Sequence, residues 1–333
     1  MISYQKGLIM LIAIQVILLI FTTLYQAIAS YLENKRSPIG QLIDVGGYRL
    51  HLYTVGEAKP TIVLDHSLGG VEGYLLIEEL AKLGRVCICD RAGYGWSDHS
   101  PHPRTSRQIV KELDLLLTQA KIEPPYILVG DSFGSYNVRL YTHLFPQKVL
   151  GLVLTDGLHE IGMLNMPLQL KSLKLFFLSG FVMSIFGSAF GIIRLLKTFR
   201  VFELIKPELR NFPEESRDRV KRSFCLPKHW ITMSREIIDL DKSSAQVSVA
   251  KHFGSLPIVS IKAASFFKPA FWTAFIPLRS INQLRDKIHL ELSQLSTDCL
   301  QVEASQSGHF VWVDQPELLI NAVKTAIDKI AAH

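Results

Sequence analysis

The sequence predicts an α/β protein whose mostly parallel sheet is covered by helices on both faces. Three observations carry this reading. Short, nearly all-apolar runs alternate with stretches of helical spacing, and strands buried on both faces read as such continuous runs. One of these runs, Pro125-Tyr126-Ile127-Leu128-Val129, ends in Gly130-Asp131-Ser132-Phe133-Gly134, and a helical pattern follows at once. The alternation then breaks over about residues 160–254, which hold helical and loop patterns without a confident strand, and it resumes afterwards. The break reads as a helical lid inserted between two strands of one sheet.

Taken in order, the chain begins with an apolar segment. Residues 8–28 carry no charge, enough for a helix to cross a ~30 Å hydrocarbon core. A cleaved signal peptide is the alternative, because Lys6 precedes the run and Ala27-Ile28-Ala29 resembles a cleavage site. Signal cores run to only about 7–15 residues, so a retained single-pass membrane anchor is expected. Its orientation is weakly encoded, with Lys6 on one side and Lys35 and Arg36 on the other beside Glu33. The expected organisation is an anchor and linker over 1–35 and one α/β domain over 36–333, with the lid at about 160–254.

Two runs at 41–45 and 48–55 flank Gly46-Gly47, a two-residue hairpin signal. A buried strand at 61–65 leads into His66-Ser67-Leu68-Gly69-Gly70. Helical spacing follows at 72–83, and a strand at 85–89 runs into the glycine-punctuated loop 90–98. Thr105-Ser106-Arg107-Gln108 resembles a capping box and opens a helix with Ile109, Leu113, Leu116 and Leu117 on one face. The Ser132 strand and helix come next, then a strand at 149–154 that ends at Thr155-Asp156-Gly157. Beyond the lid lie a strand at 257–263, a helix around 283–295, a strand at 300–304 and a final helix from Pro316, with Asp314 or Gln315 near its cap.

The chain has 333 residues, 48% of them hydrophobic, and a formal net charge of +6. No Lys/Arg block or nucleic-acid motif accompanies the charge. It reads as a solvated face, and an anionic membrane surface suits it better than nucleic acid. The four cysteines show neither metal-ligand spacing nor a disulfide pattern, and Cys87 and Cys89 alternate along one strand as small core residues.

The chemistry centres on Ser132. A sharp strand-to-helix turn needs residues without bulk on both sides of its apex, which Gly130 and Gly134 supply. A serine hydroxyl needs an adjacent base, and His309 follows the last strand, on the same sheet edge. The imidazole needs an acid on its far nitrogen. The loop after the strand at 257–263 reads Ala264-Ser265-Phe266-Phe267-Lys268 and holds no acid, so Asp156, at the end of the preceding strand, is the candidate. Asp286 is expected on a surface helix face, Asp298 in a turn and Asp314 at a cap. The oxyanion hole is expected from the backbone N–H groups of Phe133 and Leu68, with Ser67 as the alternative to Leu68. His66 is expected to order that loop rather than to act as base.

These motifs together resemble the α/β-hydrolase fold superfamily, in particular esterase- and lipase-like members with an N-terminal membrane segment. The resemblance covers roughly residues 41–330. It is best in Asp-Val-Gly-Gly-Tyr-Arg-Leu-His-Leu at 44–52 and in the stretches 90–98, 101–108, 125–135, 151–159 and 307–316. It implies Ser-His-acid hydrolysis without cofactor or metal. The 90–98 loop also occurs in relatives that dehalogenate or open epoxides, but these resemble a pattern with Asp at the nucleophile, where this chain has Ser132. The chain departs from the pattern at Ser67, where glycine is common, at Asp131, often histidine, and at Ser135, where glycine is usual. Some relatives place the acid one strand earlier, which supports Asp156.

The expected function is cleavage of a hydrophobic carboxylic ester through an acyl-enzyme formed by Ser132, His309 and Asp156, with membrane lipid as the surrounding partner. Apolar lid residues (Leu164, Leu175, Phe176, Phe177, Phe181, Phe186, Phe190) would shape the site or pack the lid on the core. A thioesterase or acyltransferase, or a catalytically silent hydrolase-like protein that binds a lipid or a partner, is the alternative.

Overall fold

The computed structural model describes residues 2–164, 168–268 and 278–332. A long helix α1 (Ile2–Asn34) precedes a hairpin of β1 (Gln41–Asp44) and β2 (Arg49–Val55). Then come β3 (Thr61–Asp65), a short α2 (Ile77–Leu80), β4 (Arg85–Asp90), α3 (Ser106–Gln119), β5 (Tyr126–Asp131), α4 (Gly134–Leu144) and β6 (Val149–Thr155). The lid block carries α5 (Glu160–Leu164), α6 (Leu168–Ala189), α7 (Ile192–Thr198), α8 (Val201–Ile205), α9 (Glu214–Phe224), α10 (Pro227–Ile238) and α11 (Leu240–Val247), with no strand among its described residues. Residues 165–167 of the expected lid lie outside the described residues. The chain closes with β7 (Ile258–Ala263), α12 (Leu278–Ser293), β8 (Cys299–Ala304), α13 (Val311–Asp314) and α14 (Pro316–Ala332).

The eight strands form one sheet in the order β1-β2-β4-β3-β5-β6-β7-β8, parallel from β4 onward, with β2 antiparallel to both its neighbours. Residues of β5 alternate between two cores. Leu128 packs with Ile109, Leu116, Tyr136 and Leu140 of α3 and α4, whereas Ile127 and Val129 pack with Ile77, Leu80, Leu319 and Val323 of α2 and α14. Burial on both faces is why the strand reads as an uninterrupted apolar run.

Two local expectations change. The helical spacing at 72–83 resolves into a single 3-10 turn (Glu72–Leu75) and the four-residue α2. The capping box at Thr105 does not form, because Gln108 turns instead to Tyr48 and Glu112. The lid caps α3 in its place. Ser243 Oγ accepts from the Ser106 N–H at 3.0 Å and Gln246 Oε1 from the Arg107 N–H at 2.8 Å. The free N–H groups that every helix start presents are here satisfied across the domain.

Helix α1 runs through its whole uncharged stretch, but its surroundings change along it. Residues 4–21 are exposed, and from Thr22 onward the helix docks on α7. Beyond Phe21, packed positions (Thr22, Gln26) alternate with exposed ones (Leu24, Ile28).

Candidate functional site at the carboxyl ends of the strands

Strands β3 and β5 are neighbours, yet their outgoing connections leave on opposite faces: the 72–80 turn joins the α14 side and α4 joins the α3 side. A crevice opens at such a switch point, outside the carboxyl ends of the strands. Ser132 stands there at the apex of the turn from β5 to α4, with φ +48°, a left-handed conformation that costs free energy in a non-glycine residue. The flanking glycines are sterically required. A Cβ at Gly134 would overlap the Asp65 carbonyl oxygen at the end of β3, and one at Gly130 would lie 2.6 Å from Val138 Cγ2.

The structure brings His309 and Asp156 together. Nδ1 of His309 lies 2.5 Å from Oδ2 of Asp156, which leaves β6 at φ +40°. The other oxygen, Oδ1, is shared by Arg285 Nη2, His289 Nε2 at 3.1 Å and the Ala263 N–H at 3.2 Å. Burial alone would raise the Asp156 carboxyl. Hydrogen bonds from His289 and His309, with the positive charge of Arg285, outweigh it and hold the group well below the ordinary carboxylate range. The loop after β7 supplies no acid but does support the imidazole: Phe266 stacks on His309 with ring centroids 4.7 Å apart, and its carbonyl accepts the His309 N–H at 3.1 Å.

Asp314 ends α13 and serves the His309 turn instead of capping α14. Its side chain is fully buried, and it accepts from the Gly308 N–H at 3.0 Å and from Lys268 at 2.9 Å, which ties down the turn that presents His309. Asp286 lies on the exposed face of α12, paired with Lys262.

On the β3 side, Leu68 and Ser67 line the crevice. Among the described residues, neither the Leu68 nor the Phe133 backbone N–H donates to a protein acceptor. The loop is held from behind by Arg91, whose guanidinium donates to the carbonyls of His66 and Ser67, both at 2.8 Å, to Asp65 at 2.6 Å, and to both oxygens of Glu236 on α10 at 3.0 Å. His66 is fully buried against Trp312. Burial, with the Arg91 charge, pushes its imidazole down to about 3, so it stays neutral.

Asp131 does not line the crevice. It accepts from Thr155 Oγ1 at 2.7 Å, and Thr155 in turn accepts from Trp312 Nε1 at 2.8 Å. Ser135 acts as a clasp, since its hydroxyl donates to the Ser132 carbonyl at 2.6 Å and accepts from the Leu158 N–H at 2.8 Å. It thereby fastens the Ser132 turn to the loop carrying Asp156.

Between these elements and the lid lies a cavity of about 360 Å³ whose lining includes Ser132, His309, Leu68, Phe177, Phe181 and Met233. Apolar side chains dominate it, as they do in small-molecule sites. A larger, open concavity of about 700 Å³ around Pro146, Val149 and Pro257 lies at the amino ends of β6 and β7, away from Ser132. Among the described residues, no three His, Cys, Asp or Glu side chains gather as a metal-ligand set.

The roles of Arg91, Ser135, Arg285 and His289 do not follow from the sequence. Arg285 and His289 stand four residues apart on one face of α12, a spacing legible in the sequence. Their common partner is more than a hundred residues distant, so the spacing alone pointed nowhere.

A strand order of this kind, a glycine-flanked serine between β5 and α4, and an imidazole after the last strand define a protein of the α/β-hydrolase fold. The family model for the alpha/beta hydrolase fold matches residues 60–193. Among relatives, the protein named "Probable transporter efuK" of Hormonema carpetanum is 25% identical over 316 residues, covering 90% of this chain and 44% of that protein, so this chain spans less than half of it. Among solved structures, the epoxide hydrolase CorEH without ligand aligns with a TM-score of 0.62 at 15% identity, over 87% of this chain and 98% of that one. The enol-lactonase of Burkholderia xenovorans LB400 aligns with a TM-score of 0.56 at 16% identity, over 86% and 100%. At these identities the two structures speak for the fold alone.

Proposed function

We propose that this chain is a serine hydrolase, held in a membrane by α1, that cleaves a carboxylic ester of a hydrophobic substrate. In this reading Ser132 Oγ attacks the ester carbonyl while His309 Nε2 takes the hydroxyl proton. The tetrahedral oxyanion is met by the N–H groups of Leu68 and Phe133, and His309 returns the proton to the departing alcohol. Water, activated by the same imidazole, then releases the acid. Asp156 fixes the His309 tautomer and stabilises the imidazolium. The observation that carries the reading is that Ser132, at its strained turn, shares one apolar cavity with an imidazole whose Nδ1 lies 2.5 Å from a buried carboxylate. Serine at the elbow favours acyl transfer over epoxide opening.

A second reading has its own support. Oδ1 of Asp156 is claimed by Arg285 and His289, and Ser67 stands where glycine is common, as suits a silent hydrolase-like protein that binds a lipid. A fluorophosphonate probe separates the two. Covalent labelling of the full-length protein that disappears in a folded Ser132→Ala variant supports the hydrolase. An unlabelled, folded wild type would overturn it in favour of the binding protein. Competition between an added alcohol and water then distinguishes hydrolysis from acyl transfer.

A further inference from the structure

Helix α6 faces two environments. On one side Phe177 and Phe181 line the cavity, with Phe181 against Trp230 of α10 and Phe177 against Phe266 and Phe267. On the other side Phe176, Met183 and Phe186 form one stripe at helical spacing, exposed by 69%, 69% and 54%. No charged residue occurs from 175 to 193. Large apolar side chains grouped and exposed in this way on a folded domain mark an interaction site. A membrane span by α6 is ruled out, because its inner face is packed on α10 and on the cavity.

The position of α1 indicates what covers this surface. Gly191, just beyond α6, packs so closely on α1 that a Cβ there would overlap the Thr22 carbonyl oxygen. The crossing is locked by polar contacts: Arg194 donates to Gln26 and Glu33, each at 2.6 Å, Gln26 Nε2 donates to the Cys225 carbonyl at 2.7 Å, and Tyr25 meets Thr198 at 3.1 Å. The point at which the anchor joins the lid is therefore fixed. From Lys6 to Thr22 the helix rises only about 24 Å, against a hydrocarbon core of ~30 Å. The core must continue about one helical turn past Thr22, to the level of Phe190 and Ile192, which flank Gly191 and are partly exposed. Helix α6 leads from that corner to the cavity.

We propose that the outer face of α6, together with Phe190 and Ile192, lies in the headgroup–acyl boundary of the membrane that holds α1, and that the cavity behind α6 takes its ester from that bilayer. This rests on the reading of α1 as an anchor. An in-plane helix binds through its buried apolar area, and here one helix is at once membrane surface and cavity wall. The substrate class narrows to membrane-resident acyl esters, whose chains pass around α6 without crossing bulk water.

The test uses the full-length chain in phosphatidylcholine–phosphatidylglycerol vesicles with brominated acyl chains. A nitrobenzoxadiazole label is placed in turn at Met183→Cys, Leu11→Cys and Leu290→Cys, each with Cys299→Ser, since the other cysteines are buried. Quenching and a blue shift at positions 11 and 183, with neither at 290 on α12, is the expected result. Quenching at 11 with a water-like label at 183 would overturn the proposal and leave the anchor standing, whereas water-like labels at both would overturn the anchor with it. A second measurement compares substrates. Met183→Glu/Phe186→Glu should lower hydrolysis of a vesicle-embedded ester by roughly tenfold or more, because two charges are forced toward the acyl region. Hydrolysis of a dissolved short-chain ester should hold. Equal loss on both substrates would count against the membrane role.

Discussion

Arg285 and His309 divide a single carboxylate: Arg285 takes Oδ1 of Asp156, and His309 faces Oδ2 at 2.5 Å. The division leaves the oxygen that meets the imidazole free of competition, while hydrogen bonds from His289 and His309, joined by the guanidinium charge, keep the acid ionised. Asp156→Asn, which removes the charge and can present an N–H where an acceptor is required, is expected to lower kcat by about 10²–10⁴-fold. Arg285→Met should cost less, up to about 100-fold through misorientation of His309. The loss should fall on kcat rather than on KM. Stopped assays from pH 4 to 9 measure both variants. An Arg285→Met variant in which KM alone rises would make Arg285 a wall of the cavity rather than a positioning residue.

Ser135 joins the Ser132 turn to the Asp156 loop through two hydrogen bonds, and its removal leaves the Leu158 N–H and the Ser132 carbonyl to find each other. They already stand 3.3 Å apart, so the loss is partly compensated. Ser135→Ala is expected to destabilise the protein by about 1–2 kcal/mol and to lower kcat more than it raises KM, because the two loops would no longer be held in register. Urea unfolding and steady-state kinetics on the same preparation test this. Unchanged stability would mean that the backbone contact alone suffices.

How far the sequence revealed this arrangement differs by residue. The alternation of apolar runs with helical spacing gave the strands and the lid, because burial on both sheet faces leaves few alternatives. Gly130, Ser132 and Gly134 were legible as a unit since their constraint is local: the turn closes within five residues. Asp156 could be singled out by its place at a strand end. Arg91 and Arg285 could not, because each acts through partners brought near only by the packing of distant elements, Glu236 of α10 in one case and Asp156 in the other. The failed capping box at Thr105 has the same origin: tertiary partners from α11 took over a role that local chemistry could have filled.

Asp131, directly before Ser132, carries a pH dependence that can be read separately from catalysis. Burial, reinforced by the charges of Glu72 and Asp156, raises its carboxyl well above the ordinary value, and the hydrogen bond from Thr155 only partly opposes this. The folded protein therefore keeps a proton that the unfolded chain releases above about pH 4. Between that pH and the raised value the native state binds more protons than the unfolded state, so stability falls as pH rises, by up to ~1.4 kcal/mol per pH unit from this group. Asp131→Asn retains an acceptor oxygen for Thr155 and removes the charge. Its melting temperature should exceed that of the wild type by a margin that widens from pH 5 to pH 8, as thermal denaturation at each pH would measure. Parallel curves with a constant offset would mean that Asp131 is ionised in the folded protein, with its charge met by groups other than Thr155.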